Sequence, residues 1–192
     1  MLELLPEFDL ALGVDLGTSA VKVLALDATG AVSGEAQGHF ATVSEVPRQA
    51  VQDPAAWLAA LSAAMQDLGH SLTARFGEAW RRRVGAIALT GQLPTLVCLG
   101  DRQPLGPAIT WRDGRADQFA SGRLGAAQRQ RMYARTGMPI DGRYLAPMLQ
   151  FHFADQLGAV RCIRSAKDYF LFALTGVRAT EPSTAAAYAC TI

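Results

Sequence analysis

Leu12-Gly13-Val14-Asp15-Leu16-Gly17-Thr18-Ser19-Ala20-Val21-Lys22-Val23-Leu24-Ala25-Leu26-Asp27 decides the fold. Leu12, Val14 and Leu16 alternate with Gly13, Asp15 and Gly17, and Val21, Val23 and Ala25 resume the two-residue period after a small polar break. Alternation on both sides of a short Gly/Thr/Ser turn predicts a β-hairpin. With Thr18 and Ser19 at the tip, Asp15 falls opposite Lys22 and Val14 opposite Val23. One face is then apolar, and the other carries an acid beside two glycines. A turn of Gly17, Thr18 and Ser19 offers backbone N–H groups and two hydroxyls to a phosphate, with no bulky side chain in the way. A carboxylate two residues earlier is placed to hold Mg2+ through water against the phosphate oxygens. The residues alone also allow an ordinary hairpin with a cross-strand Asp15/Lys22 pair, contributing ~0.2–1 kcal/mol.

The chain of 192 residues suits one domain, and 50% apolar against 18% charged residues supports a sizeable core. A formal net charge of +1 gives no basic field for nucleic acid, and Arg81-Arg82-Arg83 reads as a solvated run. The opening residues are acidic and lack the cationic stretch of a signal peptide, and no apolar run reaches membrane-spanning length. No membrane partner is therefore expected, and the cytoplasm is the default. Cys98, Cys162 and Cys190 are odd in number and lack C-x-x-C spacing, so neither a disulfide framework nor a zinc site is indicated.

Beyond the hairpin, residues 31–40 read as a third antiparallel strand. Gln52-Asp53-Pro54 starts a helix, with Asp53 as N-cap and Pro54 in the first turn. Leu58, Leu61, Met65, Leu68 and Leu72 form its expected buried stripe, and Gly77 marks its exit. Val84-Gly85-Ala86-Ile87-Ala88-Leu89 lacks alternation, as a central strand covered on both faces would. It delivers Thr90-Gly91-Gln92-Leu93-Pro94-Thr95 at its carboxyl end, where open α/β sheets bind ligands. Ala108-Ile109-Thr110-Trp111 leads into Arg112-Asp113-Gly114-Arg115. Interrupted helix follows over 114–135, then a helix from Ala146-Pro147 carrying a packed His152, a short strand at 160–163, and a helix capped by Ser165 and ended by Gly176. Three antiparallel strands, a helix and then parallel strands with crossovers predict a mixed α/β sheet with no second-domain boundary.

Four segments carry a resemblance: Gly13-Val14-Asp15-Leu16-Gly17-Thr18-Ser19, Thr90-Gly91-Gln92, the block from Ile109 to Arg115, and Lys167-Asp168-Tyr169 with Leu174-Thr175-Gly176. In this order they resemble the amino-terminal domain of the FGGY carbohydrate kinases, in particular the xylulokinase branch. The resemblance implies a ribonuclease-H-like fold of the actin and hexokinase superfamily, with ATP bound between two domains. It implies ATP and Mg2+ as cofactors, a sugar or polyol as partner, and leaves room for a homodimer. Asp15 would hold Mg2+ through water, with Gly17, Thr18, Ser19 and Lys22 at the phosphates. Gln92 and Leu93 would lie in the sugar-contacting loop, Trp111 and Asp113 would wall the pocket, and Tyr144 would contact substrate. Trp111 as plain core and Asp113 as a cap of the helix beginning at Gly114 are the structural alternatives, and Asp168 reads as helix-start chemistry.

Two departures stand out. Xylulokinases carry Gln-Met-His where this chain has Gln92-Leu93-Pro94, so the histidine that helps hold a ketopentose is missing. The family's catalytic aspartate lies in a Gly-Asp motif at the end of the first domain, and no Asp follows Asp168 here. The expectation is a kinase truncated before its catalytic residue and inactive alone. A non-catalytic sugar-binding or interaction module is the alternative. A dinucleotide oxidoreductase is disfavoured, because neither G-x-G-x-x-G after a strand nor a Walker-type motif is present.

Overall fold

A computed structural model describes residues 9–188, so the opening residues 1–6 and Cys190 lie outside the described part. In chain order the elements are β1 (Leu10–Leu16), β2 (Ala20–Asp27), β3 (Val32–His39), β4 (Val51–Gln52), α1 (Pro54–Phe76), α2 (Trp80–Arg83) and β5 (Val84–Gly91). There follow β6 (Thr95–Leu99), β7 (Ala108–Thr110), α3 (Asp117–Arg123), α4 (Ala126–Thr136), α5 (Leu145–His152), β8 (Cys162–Arg164), α6 (Ala166–Thr175) and α7 (Pro182–Ala187). They divide into two compact units. One holds the described residues up to Phe40 with Ala55–Gly91; the other holds Ala41–Pro54 with the described residues from Gln92 onward.

In the first unit the alternating period sets the sheet. β1 and β2 pair antiparallel with Asp15 opposite Lys22 and Val14 opposite Val23, as expected. Leu10, Leu12, Val14 and Leu16 are buried, and the residues between them are half-buried. β3 adds antiparallel to β2 and β5 adds parallel to β1, giving the order β3-β2-β1-β5. α1 opens at Pro54, as the sequence predicts, and Gly77 leaves it at φ +70°.

The buried stripe of α1 is rotated from the expected one. Trp57, Ala60, Leu61, Ala64, Leu68 and Leu72 are buried, while Leu58 and Met65 lie at its margin. Glycines on β3 set this seating. A Cβ at Gly38 would come within 2.1 Å of the Ala60 carbonyl oxygen, and one at Gly34 within 3.1 Å of Leu68. The helix backbone is therefore drawn onto β3. β5 corrects another expectation. Among the described residues it pairs only with β1, its burial does not follow that of a covered strand, and Ile87 is 60% exposed. The arginine run is also not uniformly solvated, because Arg83 pairs with Asp9 through Nε at 2.7 Å.

The second unit carries its own sheet, β4-β7-β6-β8, in which every pairing is antiparallel. The parallel strands with crossovers expected here reduce to the single β1/β5 pair. The β6–β7 connection is a tight return, with Gly100 N–H donating to the Gln103 carbonyl at 3.0 Å, whereas a parallel crossover needs a dozen residues or more. Val51, Leu96, Cys98 and Ile109 join Leu145, Met148 and Phe153 in the core on one face of this sheet. By alternation, Gln52, Thr95 and Thr110 belong to the other face.

Cys98 and Cys162 lie on neighbouring strands, yet Cys98 pairs with Ile163 and Cys162 with Leu99, so their side chains take opposite faces. Both are free thiols, and burial pushes Cys98 up to about 12. Ser165 caps α6 by accepting the Asp168 N–H at 3.3 Å, and Gly176 ends it at φ +74°. The buried Asp168 carboxylate accepts the Tyr188 hydroxyl at 2.8 Å, which agrees with a helix-start role.

Candidate functional site

At the hairpin tip Gly17 N–H donates to the Ala20 carbonyl at 3.0 Å, which leaves Thr18 and Ser19 as the two corner residues. A Cβ on Gly17 would meet that same carbonyl at 3.2 Å, so the turn is as tight as its glycine permits. Asp15 is half-buried and forms no ion pair with Lys22 among the described residues, although the two are register partners. The ordinary cross-strand pair is therefore not made. The register extends in both directions, aligning Thr90, Asp15, Lys22 and Gln37 across all four strands. A groove of about 420 Å3 lined by Lys22, Leu24, Glu35 and Gln37 adjoins this row. Thr90 beside Asp15 follows only from the parallel β1/β5 register and was not legible as a hairpin neighbour.

No group of three or more His, Cys, Asp or Glu among the described residues could cage a metal ion. The donor set still fits Mg2+, which is commonly held by one or two carboxylates plus water and substrate phosphates. Asp15 is one such hard oxygen donor, with no ion pair to a cation among the described residues. A concavity of about 700 Å3 lies elsewhere, against α1 and α2, with His70, Thr73 and Trp80 in its lining. It gathers no carboxylate row and no glycine turn, so size alone is a poor guide here.

The second unit brings Gln92, Leu93, Trp111 and Asp113 to one end of its sheet. Thr95 opens β6 and pairs with Thr110 at the end of β7, so residues 92–94 and 111–115 leave from adjacent strand ends. Leu93 and Trp111 are each 38% exposed, which rules out Trp111 as plain core and leaves two apolar surfaces accessible. Asp113 differs from both expectations. It does not cap a helix at Gly114, because α3 begins at Asp117 with Ala116 in the cap position. Nor is it available to a ligand, being wholly buried. Oδ2 accepts the Ala50 N–H at 3.0 Å and Arg115 Nη2 at 2.7 Å, and Oδ1 accepts the Arg115 N–H at 3.1 Å. Burial pushes this carboxyl up, but the Arg115 guanidinium and the backbone donors outweigh it and hold it below the usual carboxylate range.

His152 packs against the same carboxylate, with Nε2 3.6 Å from Asp113 Oδ1, too far for a hydrogen bond. Burial brings its pKa down to about 4, the Asp113 charge opposing only in part, so the imidazole is neutral near pH 7. This matches its expected packing role. Tyr144 occupies the cap position of α5 and rests half-buried against the core, where burial raises its hydroxyl pKa. Its segment is held close by Gly142, where a Cβ would come within 2.4 Å of the Asp117 backbone nitrogen.

Gln92 is buried and donates through Nε2 to Gln52 Oε1 at 2.7 Å, while Gln52 Nε2 donates to Thr42 Oγ1 at 2.7 Å. Gln52 and Arg115 were not singled out by sequence reasoning. Gln52 looks like nothing more than the residue before a helix cap.

Comparison with known proteins identifies the family of the chain. The model of the FGGY family of carbohydrate kinases, N-terminal domain, matches residues 10–191. The chain is 35% identical over 182 residues to a xylulose kinase of Escherichia coli, covering 91% of this chain and 35% of that protein. It is 30% identical over 189 residues to an erythritol kinase of Brucella abortus, covering 92% of this chain and 34% of that one. Among solved structures, a kinase of Brucella ovis described as a xyloylose kinase superposes with TM-score 0.83 at 28% identity, over 95% of this chain and 38% of that one. A xylulose kinase of Rhodospirillum rubrum gives 0.84 at 25% identity, over 94% and 37%. The chain thus spans about a third of the length of the curated relatives it matches. With the hairpin, the strand order and the four motif segments all falling inside the matched region, the chain belongs to the FGGY family of carbohydrate kinases, to whose N-terminal domain it corresponds.

Proposed function

We propose that this chain forms the sugar-binding and phosphate-hairpin portion of an ATP-dependent kinase acting on a hydroxyl of a sugar or polyol. The observation that carries the reading is Asp15, a carboxylate with no cationic partner among the described residues, two positions before the Gly17-Thr18-Ser19 turn, in a chain of this family. The turn would take the γ-phosphate on backbone N–H groups and hydroxyls, with Lys22 and Thr90 flanking it in register. Asp15 would hold Mg2+ through water; when bound, the ion supplies charge neutralisation at the phosphate oxygens. In the second unit Gln92 would bind a substrate hydroxyl, Leu93 and Trp111 would cover its carbon skeleton, and Tyr144 would close the wall. Asp113 enters as the anchor that fixes Arg115 and residue 50, not as a contact.

In-line phosphoryl transfer also needs a base for the attacking hydroxyl. Three acids of the second unit are each paired with an arginine: Asp113 with Arg115, Asp117 with Arg48 and Asp141 with Arg143. With these three acids held in ion pairs, the 192 residues by themselves are expected to bind weakly and not to transfer phosphate. Leu93 and Pro94 offer no side-chain donor or acceptor where xylulokinases carry histidine, and a hydrogen bond left unmade to substrate costs about 1–3 kcal/mol. The preferred substrate should therefore differ from D-xylulose.

The test is ADP release by the natural-length protein across ketoses, aldoses and polyols, ranked by kcat/KM. Sugar-dependent ADP release with D-xylulose below the best substrate supports the reading. ATP turnover independent of any added sugar or polyol contradicts it, and D-xylulose ranked clearly first contradicts the substrate preference.

A further inference from the structure

The two-amide chain through Gln52 has a direction. Gln92 Nε2 donates to Gln52 Oε1, and Gln52 Nε2 donates to Thr42 Oγ1. Reversing the Gln92 amide alone would set two carbonyl oxygens against each other at hydrogen-bond distance. Gln92 Oε1 points away from Gln52 in this arrangement, and it has no hydrogen-bond partner among the described residues although Gln92 is only 9% exposed. Gln52 is itself almost wholly buried, at 2% exposed, so its amide is not free to exchange partners with solvent. The Thr95 hydroxyl, on the sheet face that also carries Gln52, is likewise buried and unpartnered. Buried polar atoms in native proteins almost always have partners, so an amide oxygen left open in a ligand loop marks a place for a donor.

We propose that Gln52 is a positioning residue that presents Gln92 Oε1 as an obligatory acceptor, so that the site selects a substrate hydroxyl and rejects a carbonyl oxygen at that point. This rests on residues 92–94 and 111–115 forming the sugar pocket. A hydroxyl donates its hydrogen to Oε1 and completes the chain Thr42, Gln52, Gln92, substrate. A ketone oxygen in the same place meets another acceptor and gains nothing. The chemistry favoured at this subsite is a polyol carbon or the secondary alcohol of a sugar.

The test is a titration of the 192-residue chain, labelled with 15N at glutamine side chains, with erythritol, D-xylulose and their singly deoxygenated counterparts. Wild type is expected to bind with a shift of the Gln92 side-chain amide, and to lose about tenfold or more in affinity when one particular hydroxyl is removed. Gln52→Met leaves the Gln92 amide unanchored and should abolish that dependence, bringing parent and deoxy ligand to similar affinity. Gln52→Glu still accepts from Gln92 Nε2 and should retain the dependence, which a merely space-filling role would not predict. Full discrimination surviving in Gln52→Met, or no single hydroxyl mattering in wild type, overturns the proposal while leaving the sugar pocket in place. Absence of binding by any of these ligands to wild type overturns the pocket reading and the proposal with it.

Discussion

Asp15, near the end of β1, and Asp113, just after β7, each lie within two residues of a glycine in a motif segment, yet the molecule treats them oppositely. Asp15 is half-buried beside a turn with no cationic partner, although Lys22 is its register neighbour. Asp113 is wholly buried and takes hydrogen bonds from Ala50 and Arg115. One carboxylate has no cationic partner among the described residues, and the other joins residues far apart in sequence.

The largest expected effect sharpens this contrast. Asp113→Ala strips a buried acceptor from Arg115 and the Ala50 N–H, and breaking a buried pair on one side typically costs about 3–5 kcal/mol. Urea denaturation should show that loss; a change below about 1 kcal/mol would mean that the carboxylate is not the anchor described. Gly38→Ala is expected next, because its new Cβ cannot coexist with the Ala60 carbonyl at 2.1 Å without moving α1. Overpacking of this kind costs about 1–3 kcal/mol or more, read as a lowered Tm.

A pH effect should follow from His152. Its folded pKa of about 4 lies below the ordinary 6.5, so the unfolded chain binds a proton first as the solution is acidified. Stability is then full above about pH 6.5 and falls as pH drops from there toward 4, with a slope of at most about 1.4 kcal/mol per pH unit. Asp113, whose pKa is lowered, adds its own loss only further into acid, below the usual carboxylate range. His152→Leu should remove the upper window and leave the lower one. An unchanged profile between pH 6.5 and 4 would show that another group carries it. The smallest effect is expected at Ile87, 60% exposed on β5, where Ile87→Lys should alter stability by no more than about 0.5 kcal/mol.

The hairpin was legible because everything that defines it is local. The two-residue period fixes which residues face the core, and the length of the Gly17-Thr18-Ser19 break fixes the register to the residue. The helix start at Pro54 and the caps at Ser165 and Gly176 were legible for the same reason. What could not be read were contacts with no local signature. Asp113 meets Ala50 across 63 positions and Gln92 meets Gln52 across 40, so spacing says nothing about either. The rotated stripe of α1 depends on glycines of β3, because a helix shows which residues are apolar but not how closely its backbone can approach a neighbour. The exposure of β5 was missed because an apolar run reports what a strand could bury and not what covers it.

The availability of Asp15 for phosphate chemistry is tested most directly by Asp15→Ala in the natural-length protein, measuring Tm, sugar affinity and the rate of ADP formation together. The account predicts an unchanged Tm, unchanged sugar affinity, and a rate reduced by at least about 10²–10³-fold, since only stabilisation of the transferring phosphoryl group is removed. A folded variant that binds sugar and turns over ATP at the wild-type rate would contradict it.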